Sequence, residues 1–282
     1  MVRPAIACEF IMQDALTQVR NFWQEAACGE RLLLHSLDRE GFEKQAVERY
    51  RLEPYIPDFA KFDDWQGQRV LEIGVGLGAD HQRFVESGAM TTGIDLTPRA
   101  IELTERRLMA FDLSSDLHIM DAENLKLPSN KFDLVYSWGV IHHSPDTERV
   151  VRQIRRVLKP GGIARVMIYN KWSLVGSMLW LRYGLLRLRP FTPLYKIYAN
   201  YLESPGTKAY SVKDARSLFS EFVDITVTTV LSHGDLLTSG AGQRHRGTML
   251  YIARRIWPRW FVARFLTRRG LFMMIDARKP II

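Results

Sequence analysis

From residue 69 onward the chain alternates short runs of consecutive apolar residues with stretches whose apolar positions recur every three or four. The run "RVLEIGV" is followed by "ADHQRFVES", "TTGID" by "PRAIELTERRLMAF", and "FDLVYSW" by "DTERVVRQIRRVL". In the second helical stretch Thr97 stands at the cap position and Pro98 at the first helical position. Ile101, Thr104, Leu108 and Phe111 then fall on one face. In the third, Val150, Val151, Ile154, Val157 and Leu158 form one stripe, which "KPGG" is expected to stop before the strand "IARVMIY". "LHIMD" supplies a further strand between the second and third helices. Strands and helices in this rhythm predict a parallel, doubly wound sheet, and strands apolar nearly throughout predict helices on both of its faces.

The rhythm is absent at both ends. Residues 1–65, with "ALTQVRNFW" and "FEKQAVERY", read as a helical cap that precedes the first strand. After Tyr169 comes a helix-rich insertion, 171–209, and then Ser211-x-x-Asp214, a capping-box pattern that starts the helix "DARSLFSEF". "VDITVTTVL" alternates as a strand should, a basic and aromatic insertion covers 233–269, and "LFMMIDARK" closes the chain as a last strand. The expected architecture is α/β: a Rossmann-like, doubly wound sheet of seven strands over residues 66–282, interrupted by the two insertions.

Composition adds limits. With 46% hydrophobic and 25% charged residues over 282 positions, the chain reads as one globular domain of roughly 200 residues with additions. Cys8 and Cys28 make no disulfide framework, and no Cys/His spacing suggests a metal, so a reducing cytoplasm is the default. "MVRPAIACEFIM" is too short and broken for a signal peptide, and Met12 is an equally good start. No run approaches the ~18 apolar residues of a membrane span. The net charge of +8 is uneven, because residues 236–274 hold eight arginines and no acid. Such asymmetry suits nucleic acid, an anionic membrane surface met peripherally at its inner face, or an anionic substrate.

The chemistry lies in "VLEIGVGLGADH", residues 70–81, an apolar strand ending in a glycine turn that opens a helix. As Gly74-x-Gly76-x-x-Ala79 it fits a dinucleotide fingerprint; as Glu72-x-Gly74-x-Gly76-x-Gly78 it fits a loop for S-adenosylmethionine. Glu72 inside the strand is unnecessary for a pyrophosphate but suits a ligand with an ammonium group. Asp95, seventeen residues after Gly78, ends the next strand and fits the ribose of either ligand. Asp121 ends the third strand, placed to accept from an adenine amino group, and the long N-terminal segment is unusual before a dinucleotide fingerprint.

"VLEIGVGLG", "GIDLT", "DAENLKLP", "FDLVYSWGVIHHSPD" and "LKPGGIARVMIY" occur in that order across residues 66–170. In these the sequence resembles the class I S-adenosylmethionine-dependent methyltransferases, in particular the small-molecule branch that includes ubiquinone and menaquinone enzymes. The resemblance implies that Gly74, Gly76 and Gly78 contact the methionine part with Glu72 behind them. It implies Asp95 on the ribose, Leu96, Asp121 and Ala122 around the adenine, and Ser137 and Trp138 beneath the cofactor. The final strand pair fits the antiparallel hairpin that ends this fold.

Methyl transfer needs a base only where the acceptor carries a proton. His142 and His143 follow the fourth strand, at the ligand-binding edge of such sheets, and are the candidates. Tyr50 is a candidate for the cofactor's amino-acid end, and Cys28 reads as a small packed residue. Tyr169, Trp172 and Tyr210 are weaker candidates. Leu174, Met178, Leu181 and Leu185 are expected either to line an apolar acceptor pocket or to cover the sheet, with Arg244 and Arg246 steering an anionic group. Trp257, Trp260 and Phe261, among arginines, suit a lid, a membrane surface or a solvated face. The chain lacks the Asn/Asp-Pro-Pro-Tyr element of base-amine methylases and has no cysteine after Cys28 for attack on a pyrimidine. The expected activity is methylation of a small, partly apolar acceptor. Nucleic-acid methylation and non-catalytic cofactor binding are the alternatives, with NAD oxidoreduction behind them; no nucleic-acid partner is expected.

Overall fold

The computed structural model describes residues 4–238 and 254–281, with side chains from residue 12 onward within them. One sheet organises the chain: β1 (Arg69–Ile73), β2 (Met90–Asp95), β3 (Asp116–Ile119), β4 (Phe132–Trp138), β5 (Leu158–Tyr169), β6 (Val223–Val230) and β7 (Phe272–Arg278). Their order is β3-β2-β1-β4-β5-β7-β6. β1 to β5 pair in parallel, and β7 runs antiparallel to both β5 and β6. The chain winds outward from β1 to β3 and then returns to β4 on the other side, so a crevice opens at the carboxyl ends of β1 and β4.

Alternation along the strands divides the core in two. Leu71, Ile73 and Val135 face one layer with Val150, Ile154 and Phe219, whereas Val70, Leu134 and Tyr136 face the other with Phe84 and Phe272. The crossover helices are α5 (Ala79–Glu86), α6 (Pro98–Ala110) and α7 (Thr147–Val157). Thr97 caps α6 by accepting from the Ala100 N–H, and Asp146 caps α7 through Arg149. "KPGG" does not separate helix from strand: β5 already starts at Leu158. Gly161 at φ 79° and a register shift against β4 absorb the irregularity.

Residues 1–65 were expected to be helical, and α1 (Pro4–Glu25), α2 (Glu30–Leu33), α3 (Arg39–Leu52) and α4 (Ile56–Ala60) lie there. α3 is fastened by Arg107 of α6, whose side chain is fully buried. Its guanidinium donates to Leu77 O at 2.7 Å, Gln82 Oε1 at 2.9 Å, Phe42 O at 3.3 Å and Gln45 Oε1, and it lies over the Phe42 ring. Burial lowers its pKa to about 10, so the charge is retained at neutral pH.

The first insertion forms α8 (Leu174–Tyr183) and α9 (Leu194–Tyr201), and α10 (Val212–Leu218) carries the expected capping box. The expected stripe of Leu174, Met178, Leu181 and Leu185 lines no cavity, and Leu181 and Leu185 are exposed. α8 turns Gly176 and Leu179 inward instead. The reason is Tyr198 of α9, which sits so close that a Cβ on Gly176 would lie 2.0 Å from its hydroxyl. Arg244 and Arg246 lie outside the described residues, and Trp257 spends its indole N–H on Asp235 O.

Arg107→Ala removes four donated hydrogen bonds and leaves a buried gap. It is expected to cost about 3–5 kcal/mol in denaturant unfolding and to raise amide exchange along α3. A loss under about 1 kcal/mol would mean that α3 does not depend on this anchor.

Candidate active site

β1 ends in a loop whose three glycines all have positive φ: Gly74 at 85°, Gly76 at 55° and Gly78 at 73°. They serve different purposes. A Cβ on Gly74 would lie 2.2 Å from Val140 Cγ2, and one on Gly78 would lie 2.9 Å from Thr104. A Cβ on Gly76 meets nothing within 4 Å, so this glycine keeps the floor of a cavity open. Asp95, at the end of β2, sets the loop by accepting from Gly76 N at 3.3 Å, and Thr97 donates to its other oxygen through N–H and hydroxyl.

The cavity has a volume of about 300 Å³. Glu72, Gly74, Gly76, Gly78, Asp95, Leu96, Asp121, Ala122, Trp138 and His143 all line it. Asp121 lies just past β3, where it caps the short turn Ala122–Asn124. Three expected residues do not line it. Ser137 is buried and donates to Ile73 O, tying β4 to β1. The Tyr50 hydroxyl turns to Ala79 O and Asp80. His142 is buried behind His143, packed on the Tyr169 ring at 4.0 Å between centroids.

Local motifs gave no signal for the rest of the wall. The roof comes from the N-terminal cap, with Val19 and Trp23 of α1, Cys28, and Arg49 and Glu53 from α3 and its C-terminal end. Among the described residues the insertions contribute Leu202, Glu203 and His233. Asp80, in the first turn of α5, takes two hydrogen bonds from Arg49, at 3.0 and 2.6 Å, and one from each of Tyr50 and Tyr136. Arg49 also lies 3.4 Å from Glu53. Arg49 is thus the cation for two buried acids.

Beyond that pair the cavity has an excess of acid. Burial and the nearby Asp80 raise the Glu72 pKa well above the ordinary carboxylate range. Its partner His81, 3.0 Å away, is no counter-charge, because burial lowers its pKa to about 4. Burial also pushes Glu53 to about 7 against the pull of Arg49, while Trp138 donates to it. Cys28 exposes its thiol to the cavity although protein surrounds it, and burial with Glu203 and Glu53 pushes its pKa to about 12. It stands on the cavity wall and is not the packed residue expected.

At the far end, His143 Nδ1 meets Ser204 Oγ at 2.8 Å and Thr207 Oγ1 at 3.1 Å, and its Nε2 lies 3.4 Å from Glu203. Tyr169 donates to the same carboxylate at 2.7 Å. Burial works against the Glu203 charge, but His143 and Tyr169 more than offset it and hold its pKa below the usual range. Burial, His143 and Lys208 keep His142 neutral. The cavity therefore joins a carboxylate-lined floor at the β1–β2 edge to a histidine–carboxylate pair with aromatic walls at Trp23, Trp138, Tyr169 and Phe272.

Residues 71–166 match a family described as "Methyltransferase domain". A phosphoethanolamine N-methyltransferase 2 of Caenorhabditis elegans is 36% identical over 114 residues, covering 39% of this chain and 26% of the relative. A 27-O-demethylrifamycin SV methyltransferase of Amycolatopsis mediterranei is 35% identical over 99 residues, covering 34% and 36%. The matched stretch thus spans between about a quarter and a third of these relatives. Among solved structures, the Haemonchus contortus phosphoethanolamine N-methyltransferase 2, in complex with phosphomonomethylethanolamine and S-adenosylhomocysteine, superposes with a TM-score of 0.58 at 18% identity. It covers 93% of this chain and 60% of that one. The [4+2]-cyclase SpnF superposes at 0.54 with 18% identity, covering 96% of each. At such identities the likeness concerns the fold, and one fold carries more than one chemistry.

Gly76→Ala is expected to cost only about 1–2 kcal/mol of stability, for backbone strain alone, while filling the cavity floor. Gly74→Ala adds the overlap with Val140 and is expected to cost clearly more. Thermal unfolding of the two variants checks the order, and a larger loss for Gly76→Ala would contradict it.

Glu53 titrates near 4.5 when unfolded and at about 7 when folded. Its neutral form stabilises the fold fully below about 4.5, and that contribution is lost as pH rises toward about 7. Glu53→Gln stays neutral, so it is expected to flatten this part of the stability curve and to raise stability above neutral pH by roughly 1–3 kcal/mol. Melting curves across the range test this, and an unchanged slope would argue against a buried, protonated Glu53.

Proposed function

We propose that this chain, whose residues 71–166 match a methyltransferase domain, transfers a methyl group from S-adenosylmethionine to a small, partly apolar acceptor. The observation that carries the reading is the common wall of Glu72, the glycine loop, Asp95 and Asp121, each at the end of a successive strand or just beyond it. The residues present fit that cofactor. Gly76 leaves open a cradle that a side chain would fill, Asp95 can take ribose hydroxyls, and the floor at Met120–Ala122 suits a purine beside an acceptor group at Asp121. Glu72 lacks a charged partner and sits where an ammonium group would supply one.

When bound, S-adenosylmethionine supplies an electrophilic methyl on a sulfonium. What the protein adds is position, dryness and proton handling. Trp23, Trp138, Tyr169 and Phe272 exclude water from the far end of the cavity. The His143–Glu203 pair, with His143 Nδ1 held by Ser204 and Thr207, takes a proton from an acceptor hydroxyl, thiol or ammonium; the proton rests on Nε2, and the Glu203 carboxylate beside it stabilises the imidazolium. His142 has no access to the cavity and acts by packing beneath this pair. The acid-rich wall argues against a nucleic-acid acceptor, whose phosphates would be repelled there.

Calorimetry of the purified chain against S-adenosylmethionine, S-adenosylhomocysteine and NAD tests the cofactor; tight NAD binding with silence toward the other two would overturn the reading. Asp95→Ala is expected to weaken cofactor binding by roughly 1–3 kcal/mol with the fold retained. With labelled methyl donor and a panel of phenols, quinol precursors, thiols and amines, His143→Ala is expected to lower turnover by about 10²–10⁴-fold at unchanged cofactor affinity. Full activity in that variant would remove His143 from proton transfer.

A further inference from the structure

The α8–α9 connection departs from an ordinary solvated loop. Residues 171–202 contain Lys171, Arg182, Arg187, Arg189 and Lys196 and no Asp or Glu. Within this stretch Leu186, Leu188, Phe191 and Tyr195 are 59%, 91%, 97% and 64% exposed. Large side chains so exposed, four of them within ten residues, form an apolar projection and not scattered surface residues. No helix among the described residues is long and apolar enough to cross a membrane.

The projection is held in shape. Leu188 N–H donates to Leu185 O at 2.9 Å, Arg189 N–H to Gly184 O at 2.8 Å, and Thr192 N–H to Arg189 O at 3.1 Å. These bonds lock Leu188 at φ 56°, a conformation that favours Asn, Asp or Gly over leucine. The loop thus presents an apolar side chain to solvent against its local backbone preference. Behind it, the stacked rings of Tyr183 and Tyr201 hold cations: Arg187 lies 5.0 Å from the first ring and 5.9 Å from the second, and Arg182 lies 5.2 Å from Tyr183. A guanidinium resting its face on a ring keeps its edge N–H groups free for phosphate oxygens.

From this juxtaposition of an apolar tip with flanking, carboxylate-free arginines, we infer that the 184–195 loop is a membrane-contact element that inserts Leu188 and Phe191 among the lipids of an anionic bilayer surface while the arginines bind headgroup phosphates. Charge decides the occupant. A second copy of this chain would bring the same five cations against these five, whereas an anionic bilayer is complementary to them over its whole plane. The isolated tips suit a fluid interface, which closes around a projecting side chain without needing a shaped pocket. The inference does not rest on methyl transfer, because membrane contact is read without a methyl donor.

The test is co-sedimentation of the full chain with sucrose-loaded vesicles of phosphatidylcholine alone or of an equimolar mixture with phosphatidylglycerol. The bound fraction is expected to be at least about tenfold higher on the anionic vesicles and to fall as salt is raised. A Leu188→Asp/Phe191→Asp variant and an Arg187→Glu/Arg189→Glu variant are each expected to lose about tenfold of that binding while melting like the parent protein. Because the aspartate suits the backbone of residue 188, a folding defect is not expected there. Binding that is absent from anionic vesicles, or equal in the parent and both variants, would overturn the inference. So would concentration-dependent dimerisation that the Asp variant abolishes, which would assign the loop to a second copy.

Discussion

A carboxylate in the first turn of α5 cannot be buried without a cation, and the placing of Asp80 constrains much of the surrounding structure. An uncompensated charge at that depth costs several kcal/mol, so a partner must come from elsewhere. It comes from Arg49 in the N-terminal cap, with Tyr50 and Tyr136 completing the shell. Because Asp80 directly follows the glycine loop, this pairing fixes α3 over the loop and makes the cap a wall of the cavity. Arg107 repeats the arrangement from the other side, joining α3 to Leu77 O in the same loop. Two arginines, the half-buried Arg49 in the cap and the fully buried Arg107 in the sheet domain, thus hold roof and floor together.

The arrangement leaves the cavity short of positive charge. Arg49 is shared between Asp80 and Glu53, and the neutral His81 gives Glu72 only a hydrogen bond. The raised pKa values of Glu72 and Glu53 are the sign of that shortage, since a carboxyl without adequate counter-charge in a desolvated site holds its proton. A ligand carrying positive charge relieves the strain, whereas one carrying phosphate adds to it. The loop motif admits both kinds of ligand, and electrostatics of the wall chooses between them.

What was legible in the sequence was local. The glycine loop, the strand-end acid Asp95, the cap at Thr97 and the capping box at Ser211 each depend on residues within a few positions and stand where their patterns place them, and Asp121 falls two residues past its strand. What escaped depends on contacts across the chain. Glu203 meets His143 from sixty residues away, through a turn with no secondary-structure signature, and Arg49 meets Asp80 across thirty-one. Tyr50 and Ser137 were adjacent to the site in sequence but point away, because side chains one position apart on a helix or strand face different directions. The α8 stripe lines no part of the cavity for a related reason: an apolar helix offers several faces, and Tyr198, not hydrophobicity, selected the one with Gly176.

The distribution of these contacts also bears on which group handles the proton. The floor belongs to parallel strands with apolar side chains on both faces, the part of such a fold that opens last. The roof is different: α1 contributes Val19 and Trp23, and among the described residues it packs on α6 and sets the edge of Trp23 on His143 at 5.3 Å. Trp23 thus covers the proposed base with its edge. The wall behind that base is held far more firmly, by Ser204, Thr207 and the Tyr169–Glu203 bond. Proton handling, as proposed, therefore stays on the rigid edge of β4 and β5. The same division favours His143 over a residue of the cap as the proposed proton-transfer group: its geometry is set by Ser204, Thr207 and Glu203 and not by α1.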